Sequence, residues 1–175
     1  MTDVRRRVRD HVRDNPGVHF NELVRELNIA TGQAQYHLRR LGRNDEVVAE
    51  RIRGRTHYFE PEYDAWERRV LSLYRRETAR ELITHLLEDG PISASTLADR
   101  LDLARSTVSW HVDTLEDAGI VERSYDDRGR VEVALTRPEE TVAFLRAVTP
   151  SLSDRLVDRF MRLVDAGLHG VEAEE

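Results

Sequence analysis

Two stretches of this chain collect side chains that make paired hydrogen bonds to planar and anionic groups. The first holds Thr31, Gln33, Gln35, Arg39 and Arg40, with Arg43 just beyond, spaced so that a helix carries them outward while Ala34, Leu38 and Leu41 turn inward. A guanidinium donates two parallel bonds to guanine O6 and N7, and a carboxamide pairs in the same way with adenine N6 and N7. The second stretch, Arg51, Arg53 and Arg55 around Gly54, sets alternate cations in or beside a short hairpin, where they suit phosphates or a minor groove. The bland alternatives are a solvated helix face for the first set and an arginine edge that merely blocks strand pairing for the second.

Other chemistries find little to work with. The chain has no cysteine, which removes disulfides, thiolate metal sites and thiol redox sensing together. His37 and His111 fall between inward positions of two similar segments, where packing against the adjacent aromatic is the expected role. Asp165 and His169 are four apart, as two metal ligands are on a helix, yet no second pair completes a set. No nucleophile, base and oxyanion constellation and no glycine-rich phosphate loop is present, so no catalytic residue, metal or cofactor is expected and the protein is read as a non-enzyme.

All 27 basic residues are arginine, against 33 acids, for a net charge of −6. Lysine-free acidity suggests a GC-rich genome and a halophilic, high-salt cytoplasm. The negative sum leaves nucleic-acid binding open, because local charge decides whether one face can approach phosphates. No apolar run approaches the roughly 20 residues that span a bilayer, and the Arg-rich first residues lack a signal peptide's apolar stretch. A cytoplasmic protein without membrane contact is expected.

The elements that must position these residues come in duplicate. Sliding the sequence by 74 positions sets Leu23, Leu27, Ile29, Ala30, Tyr36, His37, Leu38 and Leu41 on Leu97, Leu101, Leu103, Ala104, Trp110, His111, Val112 and Leu115. In the first copy Val4, Val8 and Val12 mark a helix ended by Asn15-Pro16-Gly17. Asn21 to Leu27 forms a second helix, Asn28 to Ala30 a tight turn and Thr31 to Leu41 a third helix. Val47 to Arg53 and Arg55 to Phe59 form a hairpin. In the second copy Thr78 to Glu81 reads as a capping box that starts a helix ended by Asp89-Gly90-Pro91. Helices over Ser95 to Leu101 and Ser106 to Leu115 follow, then strands Ile120 to Tyr125 and Arg130 to Thr136 around an Asp126 to Gly129 turn. Three helices and a hairpin describe a winged helix, and a short helix, a tight turn and a projecting helix suit a DNA major groove.

The run Leu103-Ala104-Arg105-Ser106-Thr107-Val108-Ser109-Trp110-His111-Val112-Asp113-Thr114-Leu115, followed by Ala118-Gly119-Ile120-Val121-Glu122, resembles the recognition helix and wing entry of ArsR-type and MarR-type winged-helix regulators. Ile29 to Leu41 is a looser copy, and the whole is similar to archaeal regulators with two such domains. The resemblance implies a dimeric, operator-binding protein with double-stranded DNA as partner. It departs from the metal-sensing ArsR members in lacking their cysteines, so their inducer does not carry over and any effector is unidentified.

The expected architecture is therefore mainly α with small β-hairpin wings. It comprises a winged helix over 1–64, a linker helix over 65–77 built on Trp66, Val70, Leu73 and Tyr74, a second winged helix over 78–137, and a C-terminal helical segment over 138–175. That segment starts with a helix from Thr136-Arg137-Pro138-Glu139 to about Val148. A further stripe of Leu152, Leu156, Phe160, Leu163, Val164 and Gly167 either covers a core or pairs with its symmetry mate in a homodimer. Between Thr31 and Tyr58 six arginines stand against three acids, whereas Arg105 to Glu132 holds four arginines and seven acids. The first unit is thus expected to read DNA, with Arg105, Ser106, Thr107 and Ser109 of the second still able to reach bases from a helix N-terminus. The rival reading is a tandem winged-helix protein-interaction module of a chromosome-segregation or transcription complex, in which these faces need not be basic.

Overall fold

Valines at every fourth position give a helix one apolar stripe, and α1 (Asp3–Asp14) buries that stripe through Val8 and Val12. The computed structural model describes residues 3–148; the Leu152 to Gly167 stripe and the Asp165 and His169 pair lie outside the described residues. The described chain is mainly helical with two small antiparallel sheets, and it divides into two units between Arg75 and Arg76.

In unit 1, α1 is followed by β1 (Val18–His19), α2 (Phe20–Leu27), α3 (Thr31–Arg43), β2 (Val48–Ile52), β3 (Arg55–Phe59) and α4 (Ala65–Tyr74). The stripes of the first three helices meet in one core of Val8, Val12, Leu23, Ala34, Leu38 and Leu41, closed by Val18, Val47 and Tyr58. The hairpin joins β2 to β3 through Arg53 and Gly54, both with positive φ (49° and 80°), the conformation a two-residue turn of the right twist requires. Sequence pattern predicts a two-stranded wing, but β1 adds a third strand, Val18 pairing Tyr58 and His19 pairing His57. Two residues carry no alternation to detect, so β1 is visible only as the backbone partner it finds.

Unit 2 runs α5 (Glu77–Asp89), α6 (Ala94–Leu101), α7 (Arg105–Asp117), β4 (Val121–Tyr125), β5 (Val131–Leu135) and α8 (Pro138–Val148). Its buried residues include Leu82, Ile83, Leu86, Leu97, Val108, Val112, Leu115, Ile120 and Leu145. In place of β1 it has a single bridge, in which Ile92 N–H donates to Val133 O at 3.1 Å and Val133 N–H returns the bond at 2.9 Å.

Two details differ from what the sequence predicts. The Thr78 to Glu81 capping box does not form: α5 begins at Glu77, one residue before Thr78, and Arg76 at its N-cap makes no side-chain cap bond. The segment read as a linker helix is α4, and it belongs to unit 1. The capping box that does form sits there. Glu67 N–H donates to Asp64 Oδ1 at 2.8 Å, and Asp64 N–H donates to Glu67 Oε2 at 2.8 Å. Two otherwise orphan amides are satisfied at once. Asp64→Ala is accordingly expected to lower stability by about 0.5–2 kcal/mol in urea unfolding, whereas Thr78→Ala, which removes no cap, should change it by much less.

Candidate nucleic-acid interface

Each projecting helix is set by the turn before it. Asn28 after α2 and Asp102 after α6 both adopt the left-handed conformation (φ 49° and 52°). Ile29 N–H then reaches back to Val24 O at 3.4 Å, and Leu103 N–H to Ala98 O at 3.0 Å. These bonds satisfy carbonyls left open at a helix end and fix the angle at which the next helix leaves. The far ends match too, Glu46 N–H donating to Leu41 O and Ile120 N–H to Leu115 O, both at 3.0 Å. The duplicated scaffold is geometric as well as sequential.

The start of α2 is capped by an unusual group. His19 Nδ1 accepts from Glu22 N–H at 3.3 Å, while 74 positions on the Ser93 hydroxyl accepts from Thr96 N–H at 3.1 Å. An imidazole accepts only when that nitrogen is unprotonated. Burial holds the His19 pKa below its ordinary 6.5, opposed by Glu22 and reinforced by Arg55, Arg75 and Arg25.

On α3 the structure leaves Thr31, Gln33, Gln35, Arg39, Arg40 and Arg43 exposed and buries Ala34, Leu38 and Leu41. Arg51, Arg53 and Arg55 are exposed on the wing. A groove of about 890 Å3 opens between helix and wing, and there Gln35 and Arg39 of α3 come together with Arg55 of β3. Arg39, Arg40, Arg43 and Gln35 also share a smaller hollow of about 450 Å3 with Tyr36 on the outer side of the helix. Thr31, Gln33, Arg51 and Arg53 line neither hollow. The groove also enlists Asn21 and Thr56, which sequence reasoning misses. Asn21 is readable only as a helix start, and nothing in its spacing points at α3.

Charge pairing sharpens the contrast between the units. Arg39, Arg40, Arg43, Arg51 and Arg55 form no ion pair with a described residue, while two nearby acids are taken up from other helices. Glu46 lies 3.8 Å from Arg9 of α1, and Glu50 bonds Arg68 of α4. In unit 2, Arg105, Ser106, Thr107 and Ser109 are exposed on the first turns of α7. Arg123 is spent on Asp113 and Glu116, and Arg130 on Asp126 at 2.6 Å. Asp126 serves the turn itself, accepting from the Arg130 and Arg128 amides, and those bonds hold its carboxyl below the ordinary range.

The repeated histidines are packing groups. His37 is buried, its ring edge-on to Tyr36 at 5.1 Å, and His111 stands edge-on to Trp110 at 4.8 Å. Burial lowers both pKa values, with Arg5 and Arg76 respectively adding to the effect. The aromatic neighbours are not buried with them: Tyr36 is 56% and Trp110 55% exposed. Among the described residues one trio, His85, Glu88 and Asp89, brings its ligand atoms within 4.8 Å, but Asp89 already bonds the Arg100 guanidinium.

The fold and these two faces define a class, the tandem winged helix-turn-helix protein. Residues 2–71 match a family model described as an N-terminal HTH domain, and residues 76–124 match one described as a helix-turn-helix domain. The chain is thus built of two helix-turn-helix domains. It is 29% identical over 131 residues to an uncharacterized HTH-type transcriptional regulator of Methanocaldococcus jannaschii, the match covering 75% of this chain and 33% of that protein. The chain therefore spans about a third of that relative's length. Among solved structures it is similar to HlyU from Vibrio cholerae (22% identity, 50% of this chain and 95% of that one, TM-score 0.41). It is also similar to an ArsR-like transcriptional regulator from Rhodococcus sp. RHA1 (24% identity, 63% and 96%, TM-score 0.37). The assignment rests on the two family models. No described helix is long and apolar enough to cross a membrane.

His19, His37 and His111 all have folded pKa values below the ordinary 6.5, so the unfolded chain takes up their protons first. Their contribution to stability is complete above that value and is lost as pH falls from it toward the lower folded values. Glu22 titrates in a separate window. Burial pulls its carboxyl up, but Arg75 at 2.6 Å brings it below 4.5, so its contribution is lost only at more acid pH. The urea midpoint is expected to fall between about pH 7 and about pH 5.5. His19→Ser, which installs the cap unit 2 already uses, should flatten that slope; an unchanged slope would remove His19 from the account.

Proposed function

We propose that this chain is a sequence-specific, double-stranded-DNA-binding transcriptional regulator acting in the cytoplasm, with unit 1 doing most of the reading. The observation that carries this is the exposed arginine and glutamine face of α3 and its wing. There Arg39, Arg40, Arg43, Arg51 and Arg55 form no ion pair with a described residue, while Glu46 and Glu50 are neutralised from α1 and α4. Gln33, Gln35, Arg39 and Arg40 supply the paired donors and acceptors that distinguish adenine and guanine edges. Thr31, Arg43, Arg51, Arg53 and Arg55 supply backbone contacts that fix register. Arg105, Ser106, Thr107 and Ser109 make a lesser contribution from unit 2. The name of the Methanocaldococcus jannaschii relative supports the regulatory reading. For unit 2 alone, a protein-contacting role is favoured by the exposed Trp110, Tyr125 (75%) and Val131 (47%) among its acids.

The test begins with selection of duplexes from a random pool by the full chain, followed by fluorescence anisotropy on the enriched site. Arg39→Ala with Arg40→Ala should cost about 1–3 kcal/mol for each base-specific pairing removed, and Arg105→Ala with Ser109→Ala clearly less. The reverse order, or a pool that enriches no site, overturns the reading.

The regulator is further proposed to be a homodimer through the apolar stripe of Leu152, Leu156, Phe160, Leu163, Val164 and Gly167. Light scattering is expected to give a dimer for the full chain and a monomer for a chain truncated after Pro150. A monomeric full chain at micromolar concentration, or a dimer that survives truncation, refutes this interface.

A further inference from the structure

The repeat places three equivalent positions at the helix–wing junction of each unit, and the units fill them oppositely. In unit 2 they are Asp113 and Glu116 on α7 and Arg123 on β4. Arg123 spans from strand to helix, one guanidinium nitrogen donating to Asp113 Oδ1 at 2.5 Å and the other to Glu116. Counting back 74 positions, unit 1 has Arg39, Gly42 and Ala49. Gly42 and Ala49 have nothing long enough to meet across the junction, and all three residues line the open groove.

We propose that the helix–wing groove of unit 1 seats one sugar-phosphate strand of the bound duplex, that Gly42 and Ala49 keep that seat open, and that the Asp113–Arg123–Glu116 bridge closes the same seat in unit 2. The inference rests on the DNA-binding reading of unit 1 and names the residues that admit the backbone there and refuse it in the second copy.

Three features support it. Arg39 and Arg55 both line the groove, the first from the helix and the second from the wing, with Asn21, Gln35 and Thr56 as neutral hydrogen-bonding groups. Asp45 is the one carboxylate among the lining residues. Phe20, Val48 and Ala49, which are not fully buried, supply apolar surface for sugars.

The second feature is Gly42 itself. Glycine is a poor helix former, and Gly42 lies inside α3 without a positive φ. A Cβ there would meet only Val47 O, at 3.6 Å, which is ordinary contact. Neither backbone nor packing demands glycine at this position, and its lack of a side chain leaves that part of the groove wall open.

The third feature is the nature of the bridge in unit 2. Its partners are 36–58% exposed, and pairs of that kind contribute little to stability. They close the seat all the same. A phosphate entering there meets two carboxylates and would have to take away the cation that balances them.

The experiment uses the full chain and the duplex enriched by selection. Gly42→Glu with Ala49→Arg builds the Glu116–Arg123 part of the unit 2 bridge into unit 1 and leaves net charge unchanged, so long-range attraction is preserved while the seat is filled. Affinity by anisotropy is expected to fall roughly tenfold or more, the value of one paired contact to a base. The same two side chains placed outside the groove, Pro61→Glu with Ala65→Arg at exposed positions that line neither hollow, should stay within about twofold of the parent, below the scale of a single such contact. Circular dichroism and thermal unfolding establish that both variants fold. If the bridged variant binds like the parent, the seat is wrong while the DNA reading stands; if the parent binds no duplex, the DNA reading fails and the seat with it.

The converse change needs no intrusion into unit 1. Asp113→Arg, Glu116→Gly and Arg123→Ala open the second seat, and the salt dependence of binding should steepen by about 0.9 for each phosphate newly engaged. An unchanged slope overturns the closure of unit 2.

Discussion

A thirteen-residue helix can offer one face to a ligand only if its other face is held, and the burial of the inner stripes of α3 and α7 is the interaction on which both units depend. Helices of this length are marginal in water by themselves. In unit 1, Ala34, Leu38 and Leu41 join Val8, Val12 and Leu23 in one core, each larger side chain contributing about 1.5–3 kcal/mol by leaving water. That burial fixes the rotation of the helix about its axis and so decides which residues face outward. The left-handed residue before each projecting helix fixes its direction, and β1 or the Ile92 bridge ties the preceding turn to the wing.

Once the inner stripe is committed, the outer surface is free to diverge, and the two units show how far. Position by position, Arg39 faces Asp113 in the alignment, Arg43 faces Asp117, and Arg51 faces Tyr125. None of these exchanges touches the core, so each unit keeps its fold while its charge reverses. Neutralisation works in opposite senses as well. Unit 1 draws Arg9 and Arg68 from flanking helices to quiet its acids, whereas unit 2 uses its own wing arginines on its own carboxylates. A net charge of −6 therefore says little about either face; what a phosphate meets is set by which cations remain uncommitted.

Residue spacing alone carried the duplicated helix, helix, helix and hairpin order, the inward residues of α3 and α7, and the exposure of Gln35, Arg39 and Arg40. It can do so because a helix or strand repeats its side chains at a fixed angle, so composition at fixed spacing already states which face is wet. Other features arose only when distant parts of the chain came together. Val18 and His19 became a strand because β3 passes beside them. The capping boxes are local instead: Asp64 closes one with Glu67 at the start of α4, and Thr78 closes none because Arg76 stands at the N-cap of α5. The meeting of Arg123 with Asp113 and Glu116, and the open groove where Gly42 and Ala49 stand instead, depend on how far β2 and β4 lie from the helices they face. Such contacts join residues seven to ten positions apart through a chain reversal, and no periodic signal encodes the distance across it.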